Sequence, residues 1–280
     1  MIRVELAKQW RRPRTLITFG ALGAFAAVLT IALIATGAST GERVGDIPLY
    51  MTPARSGFAV PVIALSSTMK FFLPLAVAVF AGECVAGEAA WGSLRYGLAR
   101  PVSRSRYLAS KAAVAGLLSL VAVLLVPLAS LAAGTLAFGW HPLAAVDGGA
   151  STPAAPVAAI FGPAATLGRI AFGTLYVGLG MASIFAFAFL LSTITTRPFV
   201  AVAGGVGLTI VSRVLNADYL PGVAAVNAYM PNNDVDLWMH LFQRPAQTDG
   251  IVHFIVLQLV YVTVFLSLAW WWFRREDVLS

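Results

Sequence analysis

Six stretches of this chain are apolar over lengths that only a membrane-spanning fold uses in series, and this limits the fold more than any other feature. They fall at about 15–36, 58–82, 112–138, 167–192, 198–215 and 251–273. A helix needs roughly 20 apolar residues to cross the hydrocarbon core of a bilayer. None of the six shows the every-other-residue alternation of a barrel strand, so each must satisfy its backbone internally as a helix. Charge agrees: 11% of residues are charged, against about a quarter in a soluble domain. The expected fold is a single all-α integral membrane domain over residues 1–280 with six transmembrane helices. The fifth run is the shortest, and Gly204, Gly205 and Gly207 within it would permit close helix contact.

The positive charges give that bundle a direction. Arg3, Lys8, Arg11, Arg12 and Arg14 precede the first run, and Arg95, Arg100, Arg104, Arg106 and Lys111 separate the second from the third. Arg197 lies between the fourth and fifth, and Arg274 and Arg275 follow the sixth. The opposite connections hold only Arg43, Arg55 and Arg244. By the positive-inside rule both termini are expected in the cytoplasm of a cell (inner) membrane. The net charge of +7 is then a topology signal, and no nucleic-acid partner is implied. The first run is longer than the 7–15-residue core of a signal peptide and is expected to be retained.

The three long outer connections are 37–57, 139–166 and 216–250. The second, rich in Ala, Pro and Gly, reads as an irregular or partly re-entrant path. The third contains "YMPNNDVDLWMHLFQRP", read as a short helix at the outer surface. Asn232, Asp234 and Asp236 sit at calcium-loop spacing, but the glycine and distal glutamate of such a loop are missing, so a solvated turn is expected.

The opening "MIRVELAKQWRRPR" reads as an amphipathic elbow over residues 1–14. At 100° per residue Ile2, Leu6 and Trp10 form one stripe, with Lys8, Arg11 and Arg12 across from it. Such a helix rests in the headgroup layer of the lipid bilayer, Trp10 at the interface and its cations near anionic lipid. Pro13 marks the break into the first span. The plain alternative is a positive flank that only sets topology.

Between the second and third runs lies "GEAAWGSLRYGLARPVSRSRYLASK", within a basic segment over 83–111. If it is helical from Glu88, then Trp91, Leu94 and Leu98 recur as an apolar ridge, while Glu88, Gly92 and Arg95 fall on an adjacent line. An aromatic anchor, a charged rim and close approach at a glycine suit a protein groove. Pro101 ends such a helix, and Arg104, Arg106 and Lys111 bring the chain back to the membrane. A loop that only enforced topology would need neither the ridge nor the length, as the short "TITT" turn before Arg197 shows.

Glu88, then Gly92-Ser93-Leu94-Arg95, Leu98, Arg100-Pro101-Val102-Ser103-Arg104 and Lys111 resemble the signature of ABC-2 type permeases, the membrane subunits of type V ABC exporters, in the NosY-like group. That pattern is an acid, a Gly-Thr-Leu step, a Pro-Val-Ser-Arg turn and a lysine entering the third span. Ser93 stands where threonine is commoner, and Ala89, Ala90 and Trp91 replace a more charged run. The six-span plan, the elbow and the "WWWFRREDVLS" ending are similar too. The resemblance implies that 87–104 is a coupling helix docked in a cytosolic ABC ATPase, with Glu88, Trp91, Gly92, Ser93, Leu94, Arg95, Leu98, Pro101 and Arg104 as contacts. It also implies two permease subunits, identical or not, working with two ATPases. No phosphate loop of the GxxxxGK[ST] kind occurs, so the chain is not expected to be an enzyme or to bind a cofactor, and ATP and Mg²⁺ belong to the partner.

Lys70 falls near the middle of the second run between Pro61 and Pro74. A cation there costs roughly 2.5–3.5 kcal/mol on insertion scales, so it should face a cavity or a partner. It is either a pathway residue or a structural hydrogen-bonding group. An ion-coupled secondary transporter using Lys70 is the competing reading, though no three-plus-three repeat supports it. A membrane-embedded enzyme would need a deep polar cluster, and only Lys70 is deep. Glu83 should pair with a basic neighbour, Cys84 should pack as a small apolar side chain, and Arg169 and Arg213 should snorkel. The histidines lack metal-ligand spacing, and no catalytic constellation or metal site is expected.

Overall fold

The structure, a computed structural model, describes residues 2–35, 56–92, 103–146, 157–215, 229–242, 246 and 248–275. Five of its helices are long and apolar enough to cross a membrane: α2 (Pro13–Ala35), α6 (Arg104–Phe138), α7 (Pro163–Ile194), α8 (Pro198–Leu215) and α9 (Ile251–Arg275). A sixth candidate is a helix pair that passes the same length and apolarity test only when its two members are taken together, as a broken span or a re-entrant loop. Helices α3 (Ala59–Thr68) and α4 (Phe72–Gly82) meet at a 55° bend. Two short helices, α1 (Ile2–Trp10) and α5 (Ala86–Ala90), complete the helical set among the described residues.

α6 is the mast of the bundle and packs against α2, α3, α4 and α7, while α8 sits against α4 and α7, and α9 lies along α7. Val77, Leu118, Ala122, Val126, Val177 and Ile184 fill the centre. Hydroxyls inside the spans largely bond to their own helices. Thr30, Ser119, Ser130 and Thr174 each donate to the carbonyl four residues back, at 2.6–2.9 Å. In hydrocarbon, which offers no water, that is the cheapest way to satisfy a hydroxyl.

Glycines let helices approach closely at several places. A Cβ on Gly57 would stand 2.6 Å from the Gly134 carbonyl oxygen, which seats α3 against the end of α6. In α8, a Cβ on Gly204 would meet Leu191 and one on Gly205 would meet Ala188 and Ala78, whereas Gly207 faces open space. The expected close contact therefore uses two of the three glycines.

Several expectations change. The third span begins eight residues before 112, because Ser103 caps α6 by accepting from the Arg106 backbone N–H at 3.4 Å. Arg104, Arg106 and Lys111 are thus the first two turns of a long helix, not a returning loop. The second outer connection is partly a hairpin: β1 (Leu143–Val146) pairs antiparallel with β2 (Val157–Phe161), Leu143 opposite Phe161. In the described part of the third outer connection, the short helix is a 3-10 helix, Leu237–Phe242. With the turn before it, it packs one face against α7, burying Val235, Trp238 and Asn232 while Asp234, Asp236 and His240 stay partly exposed. The reason is shape as well as apolarity. A Cβ on Gly173 of α7 would stand 2.3 Å from the Trp238 ring, so only glycine leaves room for that indole. Tyr176 donates to the Asp234 carbonyl at 2.9 Å and Arg169 to the Leu241 carbonyl at 2.9 Å. Arg169 also covers the Phe161 ring at 4.1 Å, so it tethers the 3-10 helix to α7 rather than snorkelling freely.

Candidate functional site

The N-terminal helix, the segment after α4, the start of α6 and the end of α9 gather at one end of the bundle. Arg14 pairs with Glu83 there, as expected for that acid, and Tyr107 stacks on Phe273 with ring centroids 6.3 Å apart. This is the basic end. Cys84 is buried in the apolar cluster beside it, with Leu108 and Phe189, and burial pushes its thiol up to about 12.

At this end an ionic cluster is buried between three elements. Lys111 of α6 reaches Glu5 of α1 and Glu88 of α5, each at 2.6 Å. Lys8 of α1 and the Tyr107 hydroxyl of α6 also donate to Glu88. Gln9 donates to Glu5 at 3.1 Å and accepts from Arg14 at 2.9 Å. Lys111 and Glu88 keep only 2% and 5% of their side-chain surface. Among the described residues, two cations, Lys8 and Lys111, pair directly with the two carboxylates. Burial alone would push the Glu88 carboxyl up; hydrogen bonds from Lys111, Lys8 and Tyr107 outweigh it and hold the group at about 2. Such a cluster is costly to break from one side, because removing a partner strands a buried charge.

α5 is anchored at its other end as well. The Ser192 hydroxyl of α7 accepts the Val85 and Ala86 backbone N–H groups at 3.1 and 2.9 Å, two donors that a helix start leaves open. The helix then stops. Trp91 follows Ala90, and Gly92 takes φ 65°, the left-handed conformation that ends helices and that glycine adopts without strain. Trp91 is 87% exposed.

These facts redraw the expected docking surface. Glu88 does not lie on an exposed face; it is the buried root of the segment. A helix from Glu88 through Gly92 is not formed, so the line joining Glu88, Gly92 and Arg95 is broken at its second member. Trp91 and Gly92 are exposed, and Arg104 opens α6. Ser93, Leu94, Arg95, Leu98 and Pro101 lie outside the described residues. In the expected elbow segment, Leu6 of α1 packs against the main core, Trp10 is half exposed, and Arg11 is exposed. Arg12 lies in the turn between α1 and α2, which begins with Pro13.

Lys70 occupies the break between α3 and α4 and is half-buried, with no carboxylate partner among the described residues. The Phe71 backbone N–H turns to Thr68 at 3.3 Å, and the helix restarts at Phe72. Sequence reasoning missed Glu5, Tyr107 and Ser192, and set Lys8 toward lipid headgroups where the structure pairs it with Glu88. Glu5 carried a faint signal as the lone acid of an otherwise basic N-terminal helix.

The fold and its buried ionic root define a multi-pass helical membrane protein with an anchored segment at its basic end. The chain belongs to the family described as "Protein of unknown function (DUF2705)", whose family model matches residues 27–279. The match takes in Glu88, Tyr107 and Lys111 but begins after α1. No curated protein matches the chain.

Proposed function

We propose that this chain is the membrane-spanning permease subunit of an ATP-driven exporter of the ABC-2 kind. It would form the translocation pathway as a dimer and be worked by separate cytosolic ATPase subunits. The positive-inside rule puts the basic end in the cytoplasm, with both termini. Trp91 and the residues after it, to about 104, are the handle that the ATPase grips. The observation that carries this reading is the contrast across three residues: Glu88 buried and ion-locked, Trp91 almost fully exposed.

A handle transmits force only if its root cannot slip. Glu88 fixes the root to α6 and to the elbow, and Ser192 fixes it to α7. A pull at Trp91 would therefore move these helices together, as rigid-body transitions require. Closure of two ATPases would draw two such handles together and open the bundle toward the outside, past the 3-10 helix at Trp238. The elbow, with Leu6 inward and Arg11 and Arg12 near headgroups, would brace the assembly in the bilayer.

The test is joint purification. A cytosolic ATPase should accompany the chain, and Trp91→Ala should weaken the complex about tenfold or more, the loss expected of an aromatic anchor. Glu88→Ala should leave hydrolysis running while uncoupling it from transport. A second reading, an ion-coupled carrier using Lys70, draws on the break in the second span at that residue. It wins if transport persists in vesicles without ATPase and collapses with the proton gradient.

A further inference from the structure

α1 has two working faces, and the ionic cluster uses only one. Glu5 and Lys8 turn toward Lys111 and Glu88. Positions 3, 6, 7, 10 and 11 recur at the spacing of a single helical face and line a groove of about 450 Å³ between α1 and α6. The α6 wall is Leu117, Leu118 and Val121. That volume lies within the range of about 300–1,000 Å³ typical of small-ligand sites.

We propose that this groove holds one anionic phospholipid from the leaflet at the basic end. Its phosphate would lie between Arg3 and Arg11, and one acyl chain would lie against Leu6, Trp10, Leu117 and Val121. Charge complementarity selects the headgroup. Arg3 and Arg11 are exposed at the groove and have no carboxylate partner among the described residues, whereas Lys8, Arg14 and Lys111 all have one. Unpaired arginines beside an apolar wall at a membrane face form the kind of basic pocket that takes lipid headgroups. Continuity selects the acyl chain. Exposed Leu117, Leu120, Leu124 and Leu128 carry the apolar wall along α6 for roughly 16 Å, at 1.5 Å per residue. A peptide or soluble ligand would leave that strip bare; a lipid tail covers it. Trp10, half exposed at the rim, suits the headgroup boundary.

The lipid would hold α1 against α6 from the side opposite the Glu5–Lys111 pair. The elbow would then be fixed by an ion pair on one face and a lipid on the other. This inference does not depend on the transport reading, only on α1 lying at a membrane face.

The experiment uses the full chain, purified and stripped of lipid, followed by native mass spectrometry and thermal shift. Phosphatidylglycerol, phosphatidylcholine and inorganic phosphate are added separately. Phosphatidylglycerol should be retained at one per chain and bind about twenty-fivefold tighter than phosphatidylcholine, counting about fivefold for each arginine. Arg3→Gln with Arg11→Gln should remove that preference. Leu117→Trp, which fills the groove with both charges intact, should also remove it; Leu117→Phe serves if the tryptophan variant misfolds. Equal retention of the two lipids by the wild-type chain overturns the proposal, with no variant needed. A groove-filled variant that still prefers phosphatidylglycerol would leave only diffuse attraction to a basic surface. Stabilisation by inorganic phosphate equal to that by the lipid would make it a simple anion site and also overturn it.

Discussion

Replacing Lys111 with methionine keeps most of the side chain's bulk and removes its charge. At 2.6 Å from each carboxylate, the attraction is about 6 kcal/mol per pair at the effective dielectric of about 20 that suits buried sites. Desolvating the ammonium takes back several kcal/mol. What survives is the asymmetry. Without Lys111, the direct ion pairs left to Glu5 and Glu88 among the described residues reduce to Lys8 on Glu88, and a carboxylate stays buried beside another. Breaking a buried pair from one side costs about 3–5 kcal/mol, and Lys111→Met should fall in that range. A double-mutant cycle separates the pair from its surroundings. Glu88→Gln with Lys111→Met should show a coupling of about 2 kcal/mol, within the range for residues in one network. Equilibrium unfolding in mixed detergent micelles measures both. A Lys111→Met variant within 0.5 kcal/mol of wild type, or additive single variants, would refute the claim that this network fixes α5 to α6.

Three further outcomes follow from the same geometry. The Glu88 carboxyl is held at about 2 against an ordinary 4.5, so the unfolded chain binds the extra proton between those values. The stabilisation, about 3 kcal/mol, should be complete above pH 4.5 and lost as pH falls toward 2. The melting-temperature gap between wild type and Glu88→Gln should therefore close over that window, and a gap constant with pH would contradict it. Gly173→Ala should destabilise by roughly 1–3 kcal/mol through overpacking against the buried Trp238; Gly168→Ala, which meets nothing within 4 Å, is the control. Gln258 is fully buried on α9, and neither of its amide atoms has a partner among the described residues. Gln258→Leu should raise thermal stability or leave it unchanged; a loss above 1 kcal/mol would show that the amide is bonded.

How far the molecule could be read in advance depended on how local each cause was. Apolar runs are local, so the spans were legible to within a few residues at most ends. Glu83 beside a basic flank and the paired glycines of α8 were legible for the same reason. The break at Lys70 was half legible: Pro61, Pro74 and a deep cation signalled irregularity, but not the 55° bend. The ionic cluster at the root of the segment after α4 was not legible, since Glu5 meets Lys111 across 106 positions of sequence, and helical periodicity carries nothing over that distance. Periodicity also misled. It carried a helix through Gly92, where the chain takes a left-handed turn, and it set Glu88 on an exposed line when its partners bury it. The seat of Trp238 escaped for a third reason: the space for its ring is made by Gly173 in another helix, and shape complementarity leaves no mark in either segment alone.

The sidedness of Trp91 tests the account most directly. Cys84 is the only cysteine of the chain and is buried with its thiol pushed up to about 12, so it should react little. Trp91→Cys then reports alone to a membrane-impermeant maleimide. Labelling in inside-out vesicles, absent from right-side-out vesicles and blocked by bound ATPase, is the predicted result. Labelling from the outer face, or equal labelling with and without the ATPase, would contradict it.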